Sequence, residues 1–327
     1  MITHSDWAQL APYIKKYGRG PLSYSVLQPD MEYYIEEGVG FIAYYSFRHI
    51  LLAPKGRKIV LADPLCAAEH TEGMLERFIA KHKHVILLQC NRKTGTAMDK
   101  LGYEVNMFGK ECELPMPYAL AGKNRAKIRQ WRNKCEREGV VVEERAMSAC
   151  DIAEVEALST EWVQDKGGKE LILLTRPFMK GDEPEVRCFW ARKDGKLIGL
   201  AIFDPMYNHG RTVGYYHNFD RISKDAPHGT SAYIILEAMK VFTEEEVKVV
   251  SLGLMPLHVL RAHFRQNDFT MKGFRYAVKK LNYLYPFQGN ISHKKKFAGR
   301  QPPVYFSSTN GNQLREMFIL MKAMKMI

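Results

Sequence analysis

The spacing of apolar residues in the first third of the chain switches between a helical and a strand period. A period near 3.6 predicts helices over residues 5–17, 71–81 and 94–101. Runs of aromatic and aliphatic residues predict strands over 40–48, 49–53, 58–62 and 85–89. The tripeptide Pro54-Lys55-Gly56 predicts the turn before the third of these strands. Residues 110–117, with two prolines close together, are predicted to be the connection that leaves this part of the chain.

The rest of the chain continues this alternation of helices and strands. Helices are predicted over residues 122–139, 151–164, 230–243 and 257–265. Strands are predicted over 140–145, 187–191, 196–204, 247–253 and 274–277. Asp194-Gly195 between two of the strands is a strong hairpin signal. A tail from Asn312 onward is amphipathic and rich in methionine.

The length of the chain and the order of its elements predict two domains. A chain of 327 residues is long for one compact domain and natural for two. We predict an N-terminal domain over residues 1–117 and a C-terminal, catalytic domain over 118–327 that includes the tail as an amphipathic helix. The order of elements in the second domain resembles the GCN5-related N-acetyltransferase (GNAT) fold, and the first resembles a shorter version. The predicted fold class is α/β, with tandem GNAT-like domains and mixed sheets.

Composition indicates a folded, strongly basic protein. Hydrophobic residues make up 46% of the chain, enough for large cores, and the formal net charge is +12. That charge favours nucleic acid, anionic lipid or a phosphorylated substrate without choosing among them. The cysteines form no pair or cluster at metal-ligand spacing, so we expect no metal site and a reducing, cytoplasmic compartment. No signal peptide or membrane-spanning run is evident, which favours a soluble protein.

The predicted helix over residues 122–139 is unusually basic. Ile128, Trp131 and Cys135 form its apolar stripe, and Glu136 is almost alone among the cations of the other faces. Six of these cations are candidate phosphate ligands: Lys123, Arg125, Lys127, Arg129, Arg132 and Lys134. Positive charge on a rigid helix suits a phosphate backbone. A solvated basic surface helix is the alternative.

A polar loop, DRISKDAPHGTSA, contains the second group of candidates. It leads from a strand into the first turn of a helix, where unpaired backbone N–H groups favour a bound anion. Gly229 and Thr230 begin that helix, and Arg221 and His228 would add side-chain donors. An ordinary N-cap formed by Thr230 or Ser231 explains the same residues without a ligand.

Several segments in order resemble one family. They read GKNRAKIRQWRNKCEREG, GKLIGLAIFDP, NFDRISKDAPHGTSAYI, VVSLGLMPL and YPFQGNISHKKKFAGRQPPVYF. Together they resemble the soluble aminoacyltransferase domain of the bacterial phosphatidylglycerol lysyl- and alanyl-transferases, the multiple peptide resistance factor family. The resemblance covers residues 122–305, and the first half matches only in general plan.

The resemblance implies a transferase that takes an aminoacyl group from aminoacyl-tRNA and uses no cofactor. Arg221 matches the family's motif arginine near the reaction centre, Lys294 and Lys296 match its two lysines, and Tyr305 matches the tyrosine that follows. The expected substrate-binding residues are Asn218, Lys294, Tyr305, Gly229 and Thr230. Asn218 and Ala232 replace aspartates of the family pattern, and the loss of two acids argues for a neutral amino acid. The six cations of the basic helix are then the expected tRNA-binding residues.

The aminoacyl ester of a charged tRNA is already activated, so direct attack by an acceptor hydroxyl or amine suffices. Arg221, Lys296 or Lys294 would supply positive charge for the oxyanion. His228, Asp225, His217 and Asp220 are the candidates for moving the proton. Alternatively, Asp225 only sets the turn, and Lys294 to Lys296 are a solvated run of charge.

The acceptor and the location remain open between two possibilities. The acceptor is a phosphatidylglycerol-like lipid headgroup or a small molecule, as in soluble relatives from natural-product biosynthesis. In the tail, Met317, Leu320, Met321 and Met324 lie near one helical face. That face would either rest on the anionic inner surface of a membrane or pack on its own domain.

Two further functions fit the same fold. One is an acyl-CoA-dependent N-acyltransferase, whose pyrophosphate loop normally reads Q/R-x-x-G-x-G/A. The equivalent loop here, DRISKDAPHGTSA, lacks that spacing, which argues against acetyl-CoA as donor. The other is a non-catalytic tRNA-binding module.

Overall fold

One continuous sheet runs through both halves of the chain. The computed structural model describes residues 4–165, 172–173, 175–177, 181–264, 272–273, 276 and 287–326. Its strands are β1 (Met31–Glu36), β2 (Gly40–His49), β3 (Ala53–Leu61), β4 (Leu65–Cys66), β5 (Val85–Cys90), β6 (Val105–Pro115), β7 (Val141–Glu144), β8 (Arg187–Lys193), β9 (Lys196–Asn208), β10 (Arg211–Ile222), β11 (Val249–Pro256) and β12 (Pro303–Ser308). Their order across the sheet is β1-β2-β3-β5-β12-β6-β11-β10-β9-β8-β7, with β4 paired to β2.

Helices cover both faces of this sheet. They are α1 (His4–Tyr17), α2 (Thr71–His82), α3 (Arg92–Lys100), α4 (Ala126–Arg137), α5 (Ile152–Asp165), α6 (Thr230–Glu244), α7 (Phe287–Lys295) and α8 (Gln313–Ala323). In β8, Phe189 and Ala191 enter the core formed with α4 and α6, whereas Cys188 and Trp190 enter the core formed with α5. Because side chains alternate along a strand, α5 covers one face, the α5 face, and α4 and α6 cover the other, the α6 face.

The C-terminal segment returns to the N-terminal half of the sheet. β12 is inserted between β5 and β6 and is antiparallel to both. Met317, Leu320, Met321 and Met324 of the tail are buried in a core shared with α1. The apolar face of the tail therefore packs on its own protein and is not available to a bilayer. The division into two domains at residue 117 stays a prediction. The pairing of β12 with β5 and β6 shows that the last strand belongs to the N-terminal part of the sheet.

Most predicted elements are confirmed, including the hairpin in which Lys193 pairs with Lys196. One prediction is wrong at Pro54-Lys55-Gly56, which lies within β3, because the turn falls at residues 50–52. The strand predicted over residues 49–53 is wrong as well, because the apolar Ile50 and Leu51 lie in this turn. Residues 110–115, predicted as a connection, form part of β6, whose Cys112 and Leu114 are buried.

Another prediction is wrong over residues 257–264, where the structure has a turn and irregular backbone in place of a helix. The strand predicted over 274–277 falls largely outside the described residues. Within the part of the chain that is described, no helix combines the length and the apolar character needed to cross a bilayer.

Candidate functional site

Two neighbouring parallel strands separate partway along the sheet. β10 and β11 pair over a short stretch that ends at Tyr216 and Ser251. Beyond it, β10 stays paired with β9 and β11 stays paired with β6, so the two strands diverge. Gly253 lies at this point with φ +74°, and a Cβ there would be 2.6 Å from the ring of Tyr216. The result is an opening in the sheet between β10 and β11.

A bulge in β10 sets which side chains next to this opening lie on the α6 face and which lie on the α5 face. The register with β9 shifts between His217 and Phe219, so Asn218 is the extra residue. The ring of His217 lies 5.3 Å from that of Phe203 on the α6 face. Phe219 packs in the α5 core. As a result His217 and Asp220 share the α6 face, although they are three positions apart.

Arg221 lies on the opposite face of β10 from Asp220. Its guanidinium carbon is 4.2 Å from the ring centroid of Trp162 on α5 and 4.6 Å from that of Phe219. Asp220 instead accepts a hydrogen bond from Ser231 of α6. Arg221 and Asp220 therefore lie on opposite faces of β10, and the catalytic role of Arg221 stays a prediction.

Helix α7 places Lys294 in the opening. The Nζ atom of Lys294 donates a 2.9 Å hydrogen bond to the carbonyl oxygen of Leu254 on β11. The Cys112 thiol lies 3.6 Å from the Lys294 carbonyl oxygen, to which it donates. Burial lowers the pKa of Lys294 to about 8, although the carboxylates of Asp220 and Glu111 oppose the shift. The ammonium therefore predominates at neutral pH and loses its proton in mild alkali.

Two neutral imidazoles accompany Lys294. His293 stacks on Trp131 with ring centroids 5.7 Å apart, and burial lowers its pKa to about 4 despite the charge of Asp220. Burial also lowers the pKa of His217, whose Nε2 is 3.9 Å from a carboxylate oxygen of Asp220. Both rings are thus uncharged at neutral pH. An uncharged imidazole can accept a proton.

Three buried ring nitrogens of this cluster make no hydrogen bond within the described part of the chain. Among the described residues, no hydrogen-bond partner is found for Trp131 Nε1, His217 Nε2 or His293 Nε2. A buried polar atom left without a partner costs about 1–3 kcal/mol. A substrate that offers carbonyl and hydroxyl groups would satisfy such atoms.

Trp131 covers the start of α6, where the sequence predicted an anion site. Gly229 is the N-cap with φ +106°, and a Cβ there would lie 2.5 Å from the Trp131 side chain. The Thr230 hydroxyl donates to the Pro227 carbonyl oxygen at 2.7 Å, so it does not cap the helix. The His228 ring meets the indole edge-on at 5.3 Å. The helix N-terminus is therefore packed against an indole.

Other predicted site residues lie apart from Lys294. Asp225 is exposed, with a carboxylate oxygen 3.8 Å from Lys196 Nζ. Tyr305 is fully buried in the N-terminal core, and its hydroxyl is 2.8 Å from His263 Nδ1. Asn218 accepts a 3.1 Å hydrogen bond from the backbone N–H of Arg176. The structure does not gather these residues into one site, and their functional roles stay predictions.

Lys296 lies at the mouth of the cluster. Its Nζ donates 2.8 Å and 3.1 Å hydrogen bonds to the hydroxyl and carbonyl oxygens of Ser292. The same Nζ lies 5.4 Å from the ring centroid of Trp131, and Lys127 Nζ lies 5.8 Å from it. A cleft of about 710 Å³ opens beside Lys296 and is also lined by Pro256 and His258. Two cations therefore flank the indole that borders the buried cluster.

The six candidate tRNA ligands of the basic helix differ in their contacts. Arg125 donates to the Ala119 carbonyl oxygen at 2.5 Å, and Arg129 donates to that of Leu120 at 2.6 Å. Arg132 and Lys134 lie 3.5 Å and 3.7 Å from glutamates one turn onward. Lys123 and Lys127 are exposed. Arg125 and Arg129 therefore donate hydrogen bonds to backbone carbonyl oxygens, whereas Lys123 and Lys127 face solvent.

A second polar cluster lies on the α5 face. Arg176 Nη2 is 2.6 Å from Asp204 Oδ1, and Arg176 Nη1 is 2.6 Å from Glu183 Oε1. Ser25 also donates to Asp204, at 3.0 Å. No sequence pattern indicates this cluster, because Ser25, Arg176 and Asp204 are far apart in the chain. Within the described residues, no group of three or more His, Cys, Asp or Glu side chains could hold a metal ion.

Comparison with known proteins agrees with this architecture. The family described as "Phosphatidylglycerol lysyltransferase, C-terminal" matches residues 11–307. The C-terminal domain of a putative lysylphosphatidylglycerol synthetase from Agrobacterium fabrum superposes with a TM-score of 0.75 and 20% identity, covering 98% of this chain and 96% of that one. L-PGS from Bacillus licheniformis gives a TM-score of 0.78 and 20% identity, covering 97% and 96%.

A curated protein from Corynebacterium glutamicum, described as uncharacterized, is 22% identical over 262 residues, which is 78% of this chain. The chain spans 33% of the length of that relative. The mixed sheet and these neighbours confirm the predicted α/β fold class. The chain belongs to the family of phosphatidylglycerol lysyltransferase C-terminal domains, a family of transferases, so the resemblance noted from the sequence is confirmed as well.

Proposed function

We propose that this chain is an aminoacyltransferase that moves an amino acid from aminoacyl-tRNA to a hydroxyl or amine of an acceptor. A phosphatidylglycerol-like headgroup is the acceptor that family membership favours, and a small molecule is the alternative. The observation that carries the proposal is the cluster in the opening between β10 and β11. There Lys294, with its lowered pKa, lies among neutral imidazoles whose buried Nε2 atoms have no hydrogen-bond partner within the described part of the chain.

These groups supply what ester aminolysis or transesterification needs. The acceptor oxygen or nitrogen attacks the carbonyl carbon of the aminoacyl ester, and His217 Nε2 takes the proton that this atom loses. The ammonium of Lys294 stabilises the oxyanion of the tetrahedral intermediate. Asp220, 3.9 Å from His217, stabilises the imidazolium that forms. The bond to the ribose oxygen of the tRNA then breaks, and His217 returns the proton to that oxygen.

The surroundings of the cluster favour a charged tRNA over an acyl-CoA donor. Lys127 and Lys296 flank Trp131 at the mouth, and Lys123 is exposed nearby on the same segment. These cations suit the phosphates of an acceptor stem. In contrast, Trp131 packs on Gly229 at the start of α6, where a pyrophosphate would need open N–H groups.

The test combines the purified chain with each radiolabelled aminoacyl-tRNA and with phosphatidylglycerol vesicles or a small-molecule extract. We expect label from one or a few amino acids to enter the lipid or the small-molecule fraction. Label that enters neither fraction with every amino acid contradicts the proposal. Release of free thiol from acetyl-CoA would instead support the acyl-CoA alternative, and equal binding of charged and uncharged tRNA without transfer would indicate a non-catalytic tRNA-binding module.

Variants assign the roles within the site. His217→Asn should lower kcat by about 10²–10⁴, as expected for loss of a general base. His209→Asn, in an exposed turn between β9 and β10, is the matched control and should keep full activity. Arg221→Lys tests the catalytic role that the family resemblance implies for Arg221. If Arg221→Lys loses activity and His217→Asn keeps it, the reaction centre is at Arg221 and not at His217.

A further inference from the structure

The turn between β2 and β3 presents two adjacent apolar side chains to solvent. Ile50 is 85% exposed and Leu51 is 79% exposed. Single exposed apolar residues are common on soluble proteins, but an adjacent pair at the tip of a hairpin forms a projecting apolar patch. Its shape and apolar character suit insertion into an apolar layer.

Contacts from the protein hold this tip in place. His49 Nδ1 accepts hydrogen bonds from the backbone N–H groups of Leu51 at 3.3 Å and Leu52 at 3.2 Å. Arg315 of α8 donates a 3.0 Å hydrogen bond to the Leu52 carbonyl oxygen. Below the tip, the buried pair of Arg57 and Glu316 joins β3 to α8 with a 2.6 Å contact. The tip is therefore ordered before it meets any partner, which lowers the entropy cost of binding.

A cationic cavity lies directly below the tip on the side of α2. Its volume is about 250 Å³, and its lining includes Arg48, Lys55, Lys58, His82 and His84. Lys58 Nζ donates to Ser46 Oγ at 2.5 Å and is 3.6 Å from Glu32, which offsets part of its charge. His82 Nε2 is buried and has no hydrogen-bond partner among the described residues. The cavity is large enough for a phosphate group and carries the complementary charge.

Cations also flank the tip on its other side. The outer surface of α8 exposes Arg315, Lys322 and Phe318, the last by 48%. Arg315 touches the hairpin itself through Leu52. The apolar tip thus projects beyond cations on both faces of the hairpin. This pattern matches an anionic bilayer, whose phosphates lie outside its acyl chains.

We propose that the hairpin between β2 and β3 docks the protein on an anionic membrane surface. Ile50 and Leu51 enter the acyl region, while Arg48, Lys55 and Arg315 contact lipid phosphates. The inference deepens the proposed function and rests on it for its purpose, since a lipid acceptor must be reached in a membrane. The docking itself rests on the hairpin surface alone.

The sheet topology agrees with this purpose. Following the pairing from β11 through β6, β12 and β5 to β3, the start of β3 lies at the end of the sheet toward which β10 and β11 run. Four strand-to-strand steps separate β3 from β11, roughly 20 Å at the usual spacing. The hairpin tip and the opening that contains Lys294 are therefore at the same end of the sheet.

Flotation of the full chain with vesicles tests the docking without tRNA. Vesicles of phosphatidylcholine alone are compared with vesicles of equal parts phosphatidylcholine and phosphatidylglycerol. We expect binding to the anionic vesicles only. The double variant Ile50→Ser with Leu51→Ser should weaken that binding at least about tenfold. Arg48→Gln with Lys55→Gln should weaken it about fivefold per charge and reduce its sensitivity to salt. Val141→Ser, an exposed apolar site on the far edge strand β7, is the control and should bind like the unmodified chain.

Specific outcomes overturn the inference. Equal binding by the Ile50 and Leu51 double variant, or no vesicle binding by the unmodified chain, removes the hairpin as the docking element. If the unmodified chain dimerises without lipid and the double variant does not, the tip is covered by a second copy and the inference fails.

Transfer assays in detergent micelles and in vesicles separate the two proposals. If the unmodified chain transfers in both systems and the double variant binds vesicles as well as the unmodified chain does, only the docking proposal fails. If the unmodified chain transfers in neither system and the double variant loses vesicle binding, only the proposed aminoacyltransferase activity fails. The docking is further supported if the double variant keeps transfer in micelles and loses it in vesicles.

Discussion

Lys294 donates a 2.9 Å hydrogen bond from Nζ to the carbonyl oxygen of Leu254, on a strand that has separated from its parallel neighbour. The ammonium is thereby held where β10 and β11 diverge, with Asp220 nearby on β10. Burial lowers the pKa of Lys294 to about 8, so the ammonium still predominates at neutral pH. Keeping this buried group charged lowers the free energy of unfolding. Groups with strongly shifted pKa values are concentrated at sites that bind or react.

Replacing Lys294 should impair transfer without unfolding the protein. Lys294→Met removes the proposed oxyanion contact and should lower kcat by about 10²–10³. For the unmodified enzyme, kcat should fall as the pH rises above about 8, because the ammonium then loses its proton. Lys248→Met, exposed at the other end of β11, is the control. A Lys294→Met enzyme with normal kcat would refute this role.

The same lysine should make stability depend on pH. Its pKa is about 8 in the folded chain and near the ordinary value of 10.5 when unfolded, so the unfolded chain holds an extra proton between these values. Stability of the unmodified protein should therefore rise relative to Lys294→Met as the pH increases from about 8 to 10.5. Urea unfolding at several pH values measures this difference. A constant difference across that window would show that Lys294 is not desolvated.

Gly229 should be irreplaceable at the start of α6. A Cβ there meets Trp131 at 2.5 Å and the residue has φ +106°, so Gly229→Ala combines a clash with backbone strain. We expect a loss of about 2–4 kcal/mol in the free energy of unfolding. Gly210→Ala has φ +81° with nothing within 4 Å of its Cβ, so it should cost only about 1 kcal/mol of strain. Equal losses in urea unfolding would show that Trp131 does not occupy this space.

The buried pair of Arg57 and Glu316 should be costly to break on one side. Arg57→Met leaves the Glu316 carboxylate buried without its partner and should destabilise the fold by about 3–5 kcal/mol. Replacing both residues by methionine should recover most of that loss. Lys100 and Glu72 form an exposed pair 2.9 Å apart, and Lys100→Met should change stability by less than about 1 kcal/mol. Thermal and urea unfolding measure all of these variants.

The cations near α4 should divide into two groups when tRNA binding is measured against salt concentration. Lys123→Gln and Lys127→Gln remove exposed charges, so each should reduce the slope of log affinity against log salt by about one. Arg129→Gln removes the hydrogen bond to the Leu120 carbonyl oxygen and should lower stability instead. If the Arg129 variant changes only the salt slope, or the lysine variants change only stability, this division is wrong.

The α/β class, most helices and the hairpin at Asp194-Gly195 follow from the sequence because periodicity and turn chemistry are local properties. The errors have local causes too. Ile50 and Leu51 have strand-like character but form an exposed turn. Cys112 and Leu114 lie close to prolines, yet their strand pairs on both sides within the sheet.

The candidate site was only partly accessible from the sequence. Lys294 and Lys296 were found through motif resemblance, and His217 and Asp220 through their closeness to Arg221. The sequence indicates Trp131 only as part of an apolar stripe, whereas the structure packs it on Gly229 and stacks it on His293. No sequence signal indicates the bulge at Asn218. This bulge puts Asp220 on the same face of β10 as His217 and Arg221 on the opposite face.

The sequence by itself determined the family, the basic character and the residues available for chemistry, since these depend on side-chain identity and local order. Only the tertiary structure decided that Arg221 and Asp220 lie on opposite faces of β10, that the methionine-rich tail is buried, and that Ile50 and Leu51 project into solvent. The physical reason is that strand register and long-range packing set which face a side chain occupies, and a one-residue bulge reverses that face.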